Sequence, residues 1–167
     1  KGIRVAHTAP EKQAKPIELV QLQQVCDWLD QTADSDETLR LRCVRDKAML
    51  LIGFWRGFRA DEITRLSIDQ IEVEPGIGLK IYLPWTKNDR DANGRHYQCP
   101  ALSRLCPVAA YEAWLALSGL KQGPAFRKID RWDHLSADAL LAGSVVPWLR
   151  KLFKVAGVIN ADQYSSH

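Results

Sequence analysis

Three side chains in the sequence could bind a phosphate group or transfer a proton, and the local pattern around each would hold it in place. Arg59 stands in "GFRADEITRL", Lys87 in "LPWTKNDRDANGR" and His167 at the end of "YSSH". A planar guanidinium can donate two parallel hydrogen bonds to a phosphate, a lysine can protonate a leaving oxygen, and an imidazole can assist either step. The three motifs therefore point to the binding of a phosphate.

Arg59 is expected in a tight turn between two helices. Gly57 is a natural stop for the apolar helix before it, and Asp61 is a good N-cap for a short helix after it. Glu62 is close enough in sequence to orient Arg59 and favours the positive end of the short helix. Taken singly, the motif is more typical of a surface arginine beside an ordinary helix cap.

The other two candidates are expected in a hairpin turn and at the beginning of a helix. Lys87 would begin the turn, and Arg90 and Arg95 in the same stretch are rival candidates for phosphate contact. His167 follows two serines that could cap a helix. Alone, each is as readily a solvated turn lysine or a loop histidine.

Composition limits the class of protein without identifying it. The chain has 167 residues, 46% of them hydrophobic and 26% charged, which suits one globular domain with its own core. No run of 18 apolar residues predicts a membrane span. The four cysteines form no CxxC pair and have no histidine at ligand spacing, so we expect buried thiols in a reducing cytoplasm, with no metal and no cofactor.

The net charge of +3 is too small to argue for nucleic acid, but the basic residues cluster in two stretches. If the fold brought the stretches together, they would form a face that could follow phosphates; otherwise they are solvated helix faces. The first stretch contains Arg40, Arg42, Arg45, Lys47, Arg56, Arg59 and Arg65, and the second contains Arg127, Lys128, Arg131, Arg150, Lys151 and Lys154.

Hydrophobic periodicity predicts an α+β fold that is mainly α-helical. Helices are expected from Glu18, over "LRLRCVRDKAMLLIGFW", from Pro107 to Gly119, and over "VVPWLRKLFKVAG" behind a cap at Ser144. "IEV", "LKIYL" and "RHYQCP" alternate apolar and polar residues and predict a small three-stranded antiparallel sheet. "TADSDET" is expected to be a loop and "GPAFRKIDRWDHL" irregular.

In order and spacing, the three motifs resemble the catalytic domain of the tyrosine recombinases, the phage-type integrases. The family pattern has an arginine with an acidic residue three positions later, which Arg59 and Glu62 match, and a lysine on a β-hairpin, which Lys87 matches. It also has a late helix ending in Ala-Gly before His-x-x-Arg, whose histidine His167 matches. The resemblance covers residues 17–167.

The resemblance also implies what the 167 residues do not contain. The second arginine, a later histidine or tryptophan, and the tyrosine nucleophile would all follow His167. We therefore expect residues 17–167 to be a partial recombinase catalytic domain. Residues 1–16 would be a linker or arm from an N-terminal DNA-clamping domain. The chain itself is expected to bind DNA without cleaving it.

For the intact protein, the resemblance implies metal-free phosphoryl transfer through a 3′-phosphotyrosyl intermediate. Arg59 would be the first phosphate fork and Glu62 its support, Lys87 the general acid for the leaving 5′-oxygen, and His167 a phosphate or proton-transfer contact. Arg90, Arg95 and Arg131 would contact DNA. The partners would be double-stranded DNA and a tetramer of protomers on it, in the nucleoid-associated cytoplasm of a bacterium, within a phage or mobile element.

Other interpretations remain open on the sequence. Tyr164 could be a nucleophile, although the family's tyrosine follows its histidine instead of preceding it. The chain could be a non-catalytic DNA-binding or regulatory module of the same fold, or part of a type IB topoisomerase-like enzyme. It could also be a helical structural domain in which Arg59 and Lys87 are incidental.

Overall fold

The computed structural model describes residues 14–86 and 93–165, which form five helices and five strands in those ranges. Two single turns of 3-10 helix, Ile68–Gln70 and Ala161–Gln163, accompany them. The helices are α1 (Leu19–Ser35), α2 (Glu37–Arg56), α3 (Ala60–Thr64), α4 (Pro107–Ser118) and α5 (Ala142–Val155). The strands are β1 (Ile71–Glu74), β2 (Gly78–Leu83), β3 (Arg95–Pro100), β4 (Arg127–Ile129) and β5 (Leu135–Ala139).

The predicted α+β fold, mainly helical with a small three-stranded antiparallel sheet, is confirmed. Helix α2 is its centre, because α1 and α4 pack along it and β3 lies across its end. Its second half is buried on nearly every side, from Ala48 to Ile52. The apolar end of the predicted helix is therefore buried in the middle of the fold.

The junction between α1 and α2 is shorter than the predicted loop "TADSDET". Helix α1 continues to Ser35, and Asp36 alone is extended between the two helices. Asp36 is both the C-cap of α1 and the N-cap of α2. Its backbone N–H donates to the Thr32 carbonyl, and its carboxylate accepts from the N–H of Thr38 at 2.9 Å. The loop prediction was wrong because one well-placed cap can replace a longer turn.

The three-stranded sheet has the order β1-β2-β3, with antiparallel pairing throughout. Leu79, Ile81 and Leu83 of β2 are buried, so this face of the sheet covers the core. Arg95 is paired directly with Leu83, and residues paired across antiparallel strands point to the same face. Arg95 therefore extends the core-facing side of the sheet at its exposed end.

Strands β4 and β5 form a second hairpin, of which β4 and the turn lie in the stretch that was predicted to be irregular and β5 begins at its last residue. Two arginines of α2 hold it: Arg45 donates to the carbonyl of Arg127 at 2.9 Å, and Arg42 donates to the carbonyls of Ile129 and Asp130. The hairpin was missed because its strands are short, its pairing is irregular, and its anchors are 82 to 88 residues away in the chain.

The helix stops at Gly57 and Gly119 are confirmed, since both residues adopt the left-handed conformation that favours glycine. The cap at Ser144 was wrong. Helix α5 begins at Ala142 behind Leu141, and the Ser144 hydroxyl donates to the Leu141 carbonyl at 2.6 Å.

Three of the four cysteines, Cys26, Cys43 and Cys99, are buried. Burial raises the pKa of the Cys26 thiol to about 12 and the pKa values of the Cys43 and Cys99 thiols to about 11.

No helix in the described ranges combines the length and apolarity that a membrane span needs. Nor do these residues bring three His, Cys, Asp or Glu side chains together as a metal site.

Two glycines near the end of α2 give a matched test of the helix stop. An added methyl group would meet no atom within 4 Å at Gly53 or at Gly57. Gly57→Ala should lower the free energy of unfolding by about 1 kcal/mol, because φ is 62° there. Gly53→Ala should raise it by roughly 0.5 to 1 kcal/mol, because alanine favours the helix interior.

Urea denaturation of the two variants beside the unsubstituted chain measures both changes. Effects of the same sign would contradict a helix that ends at Gly57.

Candidate functional site

Arg59 lies in the turn between α2 and α3, as predicted. Gly57 reverses the chain at the end of α2, Phe58 then enters the core, and Arg59 is the extended N-cap residue of α3. The Arg59 side chain is 44% exposed. The turn is therefore anchored on its inner side by Phe58 and presents Arg59 on its outer side.

Glu62 holds both the backbone and the side chain of Arg59. One carboxylate oxygen accepts from the Arg59 backbone N–H at 2.8 Å, and the other accepts from Nη1 of the guanidinium at 3.4 Å. The Glu62 side chain is only 7% exposed, and a buried carboxylate needs such partners to stay charged. Glu62 therefore orients an arginine whose remaining donors can reach a ligand.

Asp61 is not the N-cap of α3, and that prediction was wrong. Arg59 takes the N-cap position, and the third helical residue, Glu62, satisfies its N–H. Asp61 instead pairs with Arg65 one turn later, at 3.0 Å. The helix begins two residues earlier than predicted. The Glu62 carboxylate accepts from the backbone N–H of the N-cap residue, and this contact takes the place of the predicted cap by Asp61.

Arg56, the last residue of α2, connects that helix to β3. Its Nη1 donates to the carbonyl of Gln98 at 2.6 Å, and its guanidinium lies 5.6 Å from the centroid of the Tyr97 ring. Phe58 packs edge-on against the same ring at 5.0 Å. The turn that carries Arg59 is thus fixed to the core-facing side of the sheet.

Arg65, which follows α3, makes a second connection to the sheet. Its guanidinium lies 4.9 Å from the centroid of the Trp85 ring, and Nη2 donates to the Trp85 carbonyl at 3.1 Å. Trp85 stands two residues after the end of β2. Sequence reasoning missed these contacts because they join residues 20 positions apart through a backbone carbonyl.

Arg56, Arg59, Arg65 and Arg95 are called the arginine cluster below. Arg56 and Arg65 border the turn and α3, while Arg95 extends from β3 beside the end of β2. Helix α3 has five residues and is about 8 Å long. Arg59 and Arg65 flank it and are therefore separated by less than about two helical turns. Arg56, Arg59 and Arg65 thus follow one another from the end of α2 to the residue after α3, and Arg95 is the first residue of β3.

The predicted site is brought together only in part within the described ranges. Lys87, Arg90 and His167 lie outside the residues that the structure describes. Arg131 lies in the turn of the β4–β5 hairpin, which Arg42 holds near the beginning of α2. Since 14 positions of helix separate Arg42 from Arg56, the hairpin is docked roughly 20 Å along the axis from the arginine cluster.

The two basic stretches do meet, but their contact is structural. Arg45 is buried, pairs with Asp46 at 2.6 Å and donates to the backbone of Arg127. Lys47 pairs with Asp30 on α1 at 2.7 Å. The first stretch therefore divides into residues that hold the fold together and the arginines at the end of α2 and around α3.

A groove of about 1070 Å³ lies between α1, α2, α5 and the β4–β5 hairpin. It is lined mainly by apolar side chains and contains no residue of the arginine cluster.

Tyr164 is buried and packs against Phe153, with the ring centroids 5.1 Å apart. Its carbonyl accepts from Nε of Arg150 at 3.1 Å, and the chain beside it is bonded to Lys15 through Gln163. These contacts make Tyr164 a packing residue of the terminal segment, which argues against a nucleophilic role.

The fold is that of the tyrosine recombinase catalytic domain. One similar solved structure is the XerH site-specific recombinase bound to difH substrate in a pre-cleavage complex, with a TM-score of 0.56 and 15% identity over 91% of this chain. Another is XerH bound to palindromic difH substrate in a post-cleavage complex, with a TM-score of 0.60 and 16% identity over 96% of this chain.

The sequence is similar to a curated "Integrase/recombinase xerD homolog" of Selenomonas ruminantium. The two are 29% identical over 128 residues, which is 75% of this chain. The resemblance to the tyrosine recombinases is thereby confirmed, although no protein-family model matches the chain. The chain spans 37% of the length of the curated relative and 40% and 41% of the two solved structures.

Substitution of Glu62 tests whether this carboxylate fixes the turn. Glu62→Ala should lower the free energy of unfolding by about 1 to 3 kcal/mol, because the Arg59 N–H loses its acceptor. Asp61→Ala, which removes an exposed ion pair, should change it by less than about 1 kcal/mol. Urea denaturation compares the two, and equal losses would contradict the special role of Glu62.

Proposed function

We propose that residues 17–167 are part of the catalytic domain of a site-specific DNA recombinase and that Arg59, within the arginine cluster, binds a phosphate of double-stranded DNA. The observation that carries the proposal is Arg59, whose backbone and guanidinium are both held by the buried Glu62 while the side chain stays 44% exposed. A guanidinium whose orientation is already fixed loses little conformational entropy when it binds a phosphate.

The charge of the site favours a phosphodiester. The cluster carries four guanidinium groups against the two carboxylates of Asp61 and Glu62, and Glu62 is buried beneath Arg59. Attack on a phosphodiester adds negative charge to its nonbridging oxygens, so a fixed guanidinium stabilises the transition state more than the ground state. This is the chemistry that a tyrosine recombinase requires of its first arginine.

In the intact protein, we propose that a tyrosine hydroxyl attacks a DNA phosphorus and forms a 3′-phosphotyrosyl bond as the bond to the 5′-oxygen breaks, while the phenolic proton leaves to His167 or to solvent. Lys87 would give its proton to that leaving oxygen, and Arg59 and His167 would bind the nonbridging oxygens. Because the phosphotyrosyl bond stores the energy of the broken bond, the reverse step with a partner strand needs no ATP. The proposed reaction uses no metal and no cofactor.

The remaining expectations complete this proposal. Arg90, Arg95 and Arg131 would contact DNA, and residues 1–16 would be a linker or arm to an N-terminal DNA-clamping domain. The intact protein would act as a tetramer on DNA in the cytoplasm of a bacterium, associated with the nucleoid. The curated relative is named an integrase/recombinase, and the XerH structures contain a bound substrate, which supports DNA as the partner.

We propose further that the 167 residues bind DNA but do not cleave it. The catalytic pattern of the family places a second arginine and the nucleophile after the position of His167, and Tyr164 is buried against Phe153. Binding by the chain would thus rest on the phosphate contacts alone.

Arg59→Ala should weaken binding of a fluorescein-labelled duplex and lower the slope of log affinity against log salt by about 1, because one phosphate contact is lost. Fluorescence anisotropy at several salt concentrations measures both quantities. Lys128→Ala, which removes a cation outside the cluster, is the matched control and should leave the affinity nearly unchanged. An unchanged slope for Arg59→Ala would count against phosphate binding by this residue.

The second expectation concerns cleavage. Incubation of the chain with nicked suicide duplexes should leave no DNA covalently attached to protein after denaturing electrophoresis. A covalent product that disappears in Tyr164→Phe would show that Tyr164 is a nucleophile and would overturn the proposal that the chain is inactive.

A further inference from the structure

Arg65 is held by three kinds of contact at once, which is unusual for an arginine at the surface. Its Nε donates to Oδ2 of Asp61 at 3.1 Å, and Nη2 lies 3.0 Å from the same oxygen. Nη2 also donates to the Trp85 carbonyl at 3.1 Å, and the guanidinium plane covers the Trp85 ring. One guanidinium therefore fixes both the backbone and the side chain of Trp85.

These contacts leave Arg65 poorly suited to bind a phosphate itself. Two of its three nitrogens donate to protein oxygens, and a face of the guanidinium is covered by an indole. The carboxylate of Asp61 also neutralises its charge at close range. Arg65 differs in this from Arg59, whose one carboxylate partner is the buried Glu62 on the inner side of the turn.

The contacts of Arg65 join two elements that would otherwise be connected only through the core. Helix α3 spans five residues, too few for its own hydrogen bonds to hold it in place. Ile63 and Leu66 anchor its inner side by burial. Arg65 and Asp61 fix its outer side to Trp85, and through Trp85 to the end of β2, which is paired with Arg95.

We infer that Arg65 is a positioning residue that acts through Asp61 and Trp85 to set the placement of Arg59 relative to Arg95. The inference rests on the proposed role of Arg59 in phosphate binding. Because Arg59 is the N-cap of α3, any rotation of this short helix about its buried side moves the Arg59 guanidinium relative to Arg95. Arg65 prevents that rotation and so keeps the arginine cluster in one arrangement.

A double-mutant cycle tests the inference with the 167-residue chain and a labelled DNA duplex. Arg65→Ala should weaken binding by about threefold to tenfold when Arg59 is present, and by less than twofold or so in an Arg59→Ala background. Additive losses in the double variant would overturn the inference, because they would mean that Arg65 contacts DNA itself. An unchanged affinity for Arg65→Ala would also overturn it.

Two conservative variants separate positioning from charge. Trp85→Phe keeps an aromatic face for Arg65 and should bind DNA nearly as well as the unsubstituted chain, whereas Trp85→Ala, which keeps only the backbone carbonyl as a partner for Arg65, should lose part of the affinity that Arg65→Ala loses. Arg65→Lys keeps the charge but not the planar fork, so it should behave like Arg65→Ala. Full recovery of affinity with Arg65→Lys would mean that only the charge matters, which contradicts the inference.

The control variant is Lys80→Ala, which removes an ion-paired cation from the middle strand of the same sheet. It should leave affinity within about twofold, and circular dichroism should show that every variant is folded. If Arg59→Ala had no effect on binding, the proposed function would fail and the inference with it. If Arg59→Ala weakened binding and Arg65→Ala did not, only the inference would fail.

Discussion

The burial of helix α2 is the constraint on which the rest of the structure depends. Elements from distant parts of the chain pack on it, α1 and α4 along its sides, β3 at its end, and the β4–β5 hairpin near its beginning. A close-packed interior has low compressibility, so a helix buried in it has little room to shift. The packing of the whole core therefore fixes the position of the turn just beyond its end, Gly57 to Arg59.

Two arginine–carboxylate pairs beside α2 show how exposure changes the use of the same chemistry. Arg45 and Asp46 are both buried, and the guanidinium completes its hydrogen bonds on the protein backbone, so the pair serves packing alone. In the other pair only Glu62 is buried, while Arg59 remains open to solvent. The buried Glu62 therefore orients Arg59, while the guanidinium donors of Arg59 that Glu62 does not accept from remain exposed to solvent.

Local signals made much of the fold predictable. Gly57 was readable as a helix stop, and the alternation in β2 and β3 as a sheet, because both depend on neighbours in the sequence. The β4–β5 hairpin was not readable, since α2 supplies its anchors. In the candidate site, the pairing of Arg59 with Glu62 followed from their spacing. The contact of Arg65 with Trp85 did not follow from the sequence, because residues that meet only in the folded chain produce no hydrophobic periodicity.

The attachment of the β4–β5 hairpin has a consequence for sequence variation. Arg42 and Arg45 hold it through the carbonyl oxygens of Arg127, Ile129 and Asp130, which every amino acid supplies. The exposed side chains of the hairpin can therefore change without loss of these hydrogen bonds, whereas Arg42 and Arg45 cannot, and Ile129 and Leu135 must stay apolar because they pack against the core. A hairpin with different exposed residues would thus keep the same place on the domain surface.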